Sequence, residues 1–171
     1  MDVDYQKLLP EDFDPSSRVW IYQANRKFLP SEVLAAEEML NAFIEKWNAH
    51  GSPVKGFATI FYGQFVILMA DETQTGVSGC STDSSVRIIK EMEQRFTISL
   101  FDRQLLAFIK DGKTELLPVS QLQYAADNGF IKPDTLYFNN IVQTKQELEQ
   151  NWIIPVQQSW LTKKINFTVA Q

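Results

Sequence analysis

The chain has 171 residues, a formal net charge of −5 at pH 7, one cysteine and one histidine. This length fits one domain, and 44% hydrophobic with 22% charged residues is typical of a globular protein. The acidic balance argues against a nucleic-acid-binding protein, and one Cys with one His excludes an internal disulfide and a Cys/His zinc site. The longest apolar run, 65–70, is too short for membrane insertion, and the N-terminus lacks signal-peptide features. We therefore expect a soluble, cytoplasmic protein with no cofactor and no bound metal.

The first half of the chain predicts alternating strands and helices. Residues 1–16 are rich in Asp, Glu and Pro, which indicates a flexible acidic leader. Residues 18–23 alternate as a strand does; 32–50 have helical spacing, with Ser31 as N-cap. Two apolar runs, 57–62 and 64–70, meet at Gly63-Gln64, a hairpin signal. A second helix carries Ile89, Met92 and Phe96 on one face.

The second half predicts shorter elements. Two β-rich runs flank Asp111-Gly112, which is a strong hairpin signal. A short helix at 121–128 and a β segment at 135–138 follow. Thr144 and Glu147 form a capping box that opens a last helix, closed by Pro155.

The order β-α-β-β-α-β over residues 18–110 matches the split βαβ arrangement. We therefore predict an α+β fold with a ferredoxin-like core, extended by a C-terminal β-hairpin and short helices. Residues 17–171 are expected to form a single domain, in which the part from about 111 could be a small appendage.

Three strings are similar to ATPase motifs. Residues 107–114 (AFIKDGKT) fit a permissive Walker A pattern, 65–72 (FVILMADE) a Walker B, and 77–81 (VSGCS) the ABC signature. A P-loop joins a strand to a helix, whereas Pro118 would fall early in that helix and Asp111-Gly112 favours a hairpin. The order of the strings also differs from that of ABC ATPases. A P-loop NTPase is therefore disfavoured.

Residues 78–85 (SGCSTDSS) lie at the start of the second predicted helix. A thiol there can have a lowered pKa, so Cys80 is a candidate catalytic nucleophile, with His50 as the base. A second interpretation is a site for a small anionic ligand, formed by Ser78, Gly79, Ser81, Thr82, Asp83 and Ser84. A third is that these residues only cap the helix and that the cysteine is only a small buried side chain.

Aromatic and amide side chains crowd the last third of the chain. Tyr137, Phe138, Trp152 and Trp160 are the aromatic members, a mixture typical of a protein-partner or homodimer interface. The same mixture also suits a small appendage packed on the main sheet.

Six ordered segments together resemble a family of small bacterial proteins that are often labelled "ABC transporter ATPase" by automated means. These are VWIYQANRKF (19–28), WNAHG (47–51), FVILMADE (65–72), SGCSTDSSV (78–86), SLFDR (99–103) and TLYFNN (135–140). The resemblance covers most of residues 18–160 and carries over no catalytic residue. Residues 111–138 also resemble GYF-type adaptor modules, which bind proline-rich peptides, although the GYF tripeptide is missing here.

The leading hypothesis is a non-hydrolytic ligand- or protein-binding module that uses residues 78–85, the aromatic C-terminal third, or both. The alternatives are a thiol-dependent enzyme using Cys80 and, disfavoured, an ATP-binding protein as the family label implies. The expected partner is a small anionic ligand, another protein or a second copy of the chain.

Overall fold

The computed structural model describes residues 1–49, 51–73 and 79–168, without the side chains of residues 48, 49 and 79–81. Its mixture of helices and antiparallel strands confirms the predicted α+β class. In chain order the elements are β1 (Arg18–Gln23), α1 (Pro30–Lys46), β2 (Asn48–Ala49), β3 (Ser52–Pro53), β4 (Lys55–Phe61), β5 (Phe65–Asp71), α2 (Gly79–Phe96), β6 (Leu105–Lys110), β7 (Lys113–Pro118), α3 (Leu122–Asp127), β8 (Leu136–Phe138), α4 (Lys145–Asn151) and β9 (Ile153–Pro155).

The chain divides into two compact units. The larger unit comprises Asp4–Phe101 and Asn140–Glu149; the smaller comprises Met1–Val3, Asp102–Asn139 and the chain from Gln150 onward. The boundary predicted near residue 111 instead falls in the turn between β6 and β7, which pair along their full length. Both strands of this hairpin therefore share one hydrogen-bond ladder.

In the larger unit, β1, β5 and β4 form an antiparallel sheet in that order. Every residue of β5 is buried, so its side chains are covered on both faces of the sheet. Val66 and Leu68 belong to the core formed with α1 and α2. On the strand beside it, Phe57 and Phe61 contact Phe13 and Tyr5 of the N-terminal segment. Because side chains alternate across a strand, a sheet covered on both faces needs this unbroken apolar sequence.

The predicted flexible leader is anchored from residue 4 onward. Tyr5, Leu9 and Phe13 are buried, and the Tyr5 hydroxyl donates a hydrogen bond to the Leu148 carbonyl at 2.6 Å. The Lys145 ammonium donates to the Phe13 carbonyl at 3.1 Å. The prediction of a flexible leader relied on the acidic residues and overlooked these three apolar side chains, which are spaced four residues apart.

Helix α1 (Pro30–Lys46) begins two residues before the predicted start at residue 32 and ends four residues before the predicted end at residue 50. Leu29, not Ser31, precedes the first helical residue, Pro30. The Glu32 carboxylate accepts hydrogen bonds from the Leu29 N–H at 2.7 Å and from both terminal nitrogens of Arg26, which fixes this start. The helix ends at Lys46 because the following residues turn into the short β2–β3 pair.

The predicted fourth strand of a ferredoxin-like sheet lies elsewhere. Residues 105–110 form β6, which pairs with β7 and β8 in the smaller unit. Beside β1 lies instead the segment leading into α4: the Val19 N–H donates to the Gln143 carbonyl, and Lys145 N–H to Ser17. The specific ferredoxin-like arrangement is therefore not confirmed.

In the smaller unit the strands lie in the order β7-β6-β8-β9, all antiparallel. The β6–β7 turn is the two residues Asp111 and Gly112, with φ of 50° and 71°. Positive φ at both positions is the requirement of a type I′ hairpin turn, which Asp-Gly satisfies. The last predicted helix ends at Asn151, before the expected end at Pro155, and residues Ile153–Pro155 form β9.

Candidate functional site

A groove of about 460 Å³ lies between α1 and α2 of the larger unit. Helix α1 and the residue after it contribute Met39, Ala42, Phe43, Lys46 and Trp47, while α2 contributes Ser84, Arg87, Ile88 and Glu91. Of the apolar lining side chains, Trp47 is buried, Met39, Phe43 and Ile88 are half-buried and Ala42 is exposed; the three charged side chains at the rim are also exposed. An apolar cleft of this size with a few polar groups at its edge is the usual form of a small-molecule site.

The wall formed by Trp47 depends on the end of α1. The Trp47 backbone is extended, and its N–H bonds the Ile44 carbonyl. Its indole is 5.1 Å from the Phe43 ring and 5.8 Å from the Trp20 ring, measured between centroids. A Cβ at Gly56 would lie 2.7 Å from Trp47 Cε3. Glycine at position 56 is therefore what allows strand β4 to approach this indole.

The charged groups of the groove are unevenly placed. Arg87 and Glu91 are four residues apart on α2, yet neither forms an ion pair with any residue that the structure describes. Phe28, which precedes α1, lies 5.8 Å from Phe96 at the end of α2, measured between ring centroids. The start of α1 is thus near the end of α2, and Lys46 is the last residue of α1. Lys46 therefore belongs to the end of the groove near the first turns of α2.

The predicted anion-binding loop is helix where it is described. Helix α2 already includes Gly79, so Ser81, Thr82, Asp83 and Ser84 occupy its first turns, while Ser78 lies outside the described residues. The buried Ser85 hydroxyl donates to the Thr82 carbonyl at 2.6 Å, a bond within the helix. Of the predicted ligand-binding residues, Ser84 lines the groove.

The predicted Cys80–His50 pair stays a prediction. His50 lies outside the described residues, and for Cys80 only the backbone, helical at the start of α2, is described.

The predicted interface residues are part of a core. Tyr137, Phe138 and Trp152 are no more than 2% exposed, and Trp160, half-buried, donates its indole N–H to the Tyr137 hydroxyl at 3.2 Å. Burial raises the pKa of Tyr137 to about 12. Three of the four rings are therefore buried within the smaller unit, and Trp160 is half-buried beside them.

The ATPase-like strings have structural roles. Gly112 lies in the hairpin turn and Lys113 begins β7, so this string has no helix N-terminus to direct at a phosphate. The Walker B-like run is β5, the middle strand of an antiparallel sheet. Its Asp71 accepts hydrogen bonds from the Thr73 N–H and hydroxyl and from the Asp14 N–H.

These hydrogen bonds, above all those from Thr73, lower the pKa of the buried Asp71 carboxyl below 3.8. A lowered folded-state pKa stabilises the fold above the unfolded value, and the contribution is lost as the pH falls through the folded value. We expect Asp71→Asn to cost about 2 kcal/mol at pH 7, and this cost to shrink below pH 3.8. Urea unfolding across this pH range measures the effect.

The control is Asp127→Asn, which removes the same charge from an exposed residue held by one side-chain hydrogen bond from Gln123. A cost for Asp71→Asn that stays constant from pH 7 to pH 2.5 would contradict the assigned role of the ionised carboxylate.

Sequence reasoning did not assign the groove. Phe43 and Trp47 follow the core-facing pattern of α1, and Ile88 lies beside the predicted apolar face of α2, so none stands out. The sequence does place Lys46 and Arg87 next to these apolar positions. That proximity indicates a binding site only when the two helices are known to lie side by side.

Among the residues that the structure describes, no group of three or more His, Cys, Asp or Glu side chains could hold a metal ion. Within the same residues, no helix has the length and apolar character needed to cross a membrane. In comparisons with known proteins, no family model, no curated protein and no solved structure matches this chain.

Proposed function

We propose that the protein is a non-hydrolytic binding module that holds a ligand with an apolar body in the groove between α1 and α2. The observation that carries this proposal is the groove itself: its volume of about 460 Å³ lies within the range of small-molecule sites. Its floor presents the side chains of Met39, Phe43 and Ile88 without burying them fully. Covering this apolar surface would favour binding.

Binding without chemistry is the simplest activity that these side chains support. Lining the groove are one hydroxyl, one carboxylate and two cations, at Ser84, Glu91, Lys46 and Arg87. Among the described lining residues there is no imidazole or thiol to act as base or nucleophile. The aromatic wall at Trp47 and Phe43 instead supplies rigid contact area, which suits recognition of an apolar ring or chain.

The proposal also covers the fold of the larger unit, the family of the chain and its location in the cell. We propose that the larger unit is a variant of the split βαβ fold in which residues 140–145 take the place of the last strand. The order β1-β5-β4 and the hydrogen bonds of Val19 and Lys145 to residues 143 and 17 support it. We also propose membership of the bacterial family with the ABC transporter label, on the six sequence segments alone, and a cytoplasmic location, on the composition and the short apolar runs.

The neutral fluorescent probe N-phenyl-1-naphthylamine tests the groove directly. We expect it to bind the wild-type protein, and Ala42→Trp to weaken binding by about tenfold or more, equivalent to ~1.4 kcal/mol, because the new indole fills the groove. The matched control is Asn41→Trp, which adds the same side chain at the neighbouring exposed position of α1 outside the groove. Fluorescence titration measures the affinity, and circular dichroism confirms that both variants fold.

Equal weakening by the two substitutions, or no binding by the wild type, would contradict the proposed function. Both variants lie at exposed helix positions, so a loss of affinity confined to Ala42→Trp is attributable to the groove.

A further inference from the structure

We infer that the groove selects amphiphilic anions: ligands with an apolar body and one acidic group bound at the Lys46–Arg87 end. This inference rests on the proposed function and adds the chemical class of the ligand and its orientation. Three charged side chains along the two helices support it.

The rim is locally positive on an acidic chain. Lys46 and Arg87 face one carboxylate, Glu91, although the chain as a whole carries −5. The Arg87 side chain is exposed and makes no ion pair with any described residue. A guanidinium in this state can receive a carboxylate or sulfonate with two parallel hydrogen bonds without first breaking an existing pair.

The two ends of the groove differ in charge. Ser84, Arg87 and Glu91 follow one another at spacings of three and four on α2, so they form one row along the helix. Ser84 and Glu91 are separated by seven residues, about 10 Å along the axis. Lys46 lies at the Ser84 end, because the two helices run antiparallel: Phe28, before α1, packs against Phe96 at the end of α2, and Lys46 is the last residue of α1.

This polarity orients the ligand. Among the lining residues, the Ser84 end holds Lys46 and a hydroxyl with Arg87 one turn away, whereas at the other end an acidic group would meet the Glu91 carboxylate. The apolar body then extends over Phe43 and Ile88 toward Met39. A neutral ligand would gain only the apolar part of these contacts.

The matched pair of probes that tests this is 8-anilinonaphthalene-1-sulfonate and the neutral N-phenyl-1-naphthylamine, which share one ring system and differ in the sulfonate. We expect Arg87→Gln and Lys46→Gln each to weaken sulfonate binding about two- to fivefold, the range of partly exposed ion pairs. The neutral probe should change less than about twofold, because uncharged contacts do not depend on these cations. Comparing variants, not probes, removes the difference in probe hydrophobicity.

The control is Lys90→Gln, which removes the same charge from an exposed position of α2 that does not line the groove. Raising the salt concentration from about 20 to about 500 mM shortens the Debye length from about 20 to about 4 Å. This change should weaken sulfonate binding and leave binding of the neutral probe unchanged. Glu91→Gln is expected to strengthen sulfonate binding.

The outcomes separate the two proposals. If Ala42→Trp blocks both probes but Arg87→Gln acts no more strongly than Lys90→Gln, the groove binds ligands and the anion preference is wrong. If Ala42→Trp blocks neither probe, the proposed function fails, and the anion preference with it. If Arg87→Gln weakens both probes equally, the arginine shapes the groove instead of binding the acidic group, which also overturns this inference.

Discussion

Replacing Trp152 by alanine is expected to lower the free energy of unfolding by about 4 kcal/mol, in the range for deleting a buried aromatic side chain. The indole is fully buried and its centroid lies 5.4 Å from that of Phe138. The vacated volume cannot collapse easily, because Trp152 directly precedes β9, which is held to β8 by ladder hydrogen bonds. Urea unfolding monitored by circular dichroism measures the loss.

The matched control is Trp160→Ala, the same substitution at a half-buried ring. It removes one hydrogen bond to Tyr137 and part of a core contact, so about half the cost is expected. Were Trp152 part of a homodimer interface, as the sequence suggested, Trp152→Ala would change the sedimentation coefficient and leave monomer unfolding unchanged. That result would contradict the core position.

Gly56→Ala is expected to destabilise the larger unit by about 2 kcal/mol, the usual cost of overpacking. The added Cβ would lie 2.7 Å from Trp47 Cε3 and 3.1 Å from Ile44 Cδ1. Real Cβ atoms do not approach that closely, so the indole must move, and it can do so only by disturbing its contacts with Phe43 and Trp20. The same displacement should weaken binding of the neutral naphthylamine probe, since Trp47 lines the groove.

A double-mutant cycle with Trp47→Leu identifies the cause. If the steric contact is responsible, Gly56→Ala costs at least about 1 kcal/mol less when the indole is already absent. An equal cost in both backgrounds would show that alanine at position 56 acts through the strand backbone and not through Trp47. Thermal and urea unfolding of the four proteins provide the measurement.

Local signals predicted the elements well where the decisive residues are neighbours in sequence. The Asp111-Gly112 turn is one example, because its two positive φ angles depend on two residue types alone. The start of the last helix is another: the Glu147 N–H bonds the Thr144 hydroxyl. At α1 the same reasoning chose the wrong residue, since Glu32 bonds back to Leu29 and across to Arg26.

The assignment of strands to sheets could not be predicted in this way. The strand at 105–110 has the composition of a buried strand and the right place in chain order for the predicted sheet. It pairs instead with β7 and β8, while the residues around Gln143 and Thr144 lie beside β1. Two segments far apart in sequence can pair with the same edge of a sheet, and the sequence of either segment alone does not determine which of them does so.

The candidate site shows the same division between features set by neighbouring residues and features set by the tertiary structure. The sequence by itself determined the amphipathic faces of α1 and α2, the Asp111-Gly112 turn and the acidic balance, because these follow from neighbouring residues and from composition. Only the tertiary structure decided that Phe43, Ile88, Lys46 and Arg87 share one groove, and that the Trp152 ring is fully buried. The physical reason is that a groove is a property of two packed helices, whose side chains come together only when the sheet beneath them has formed.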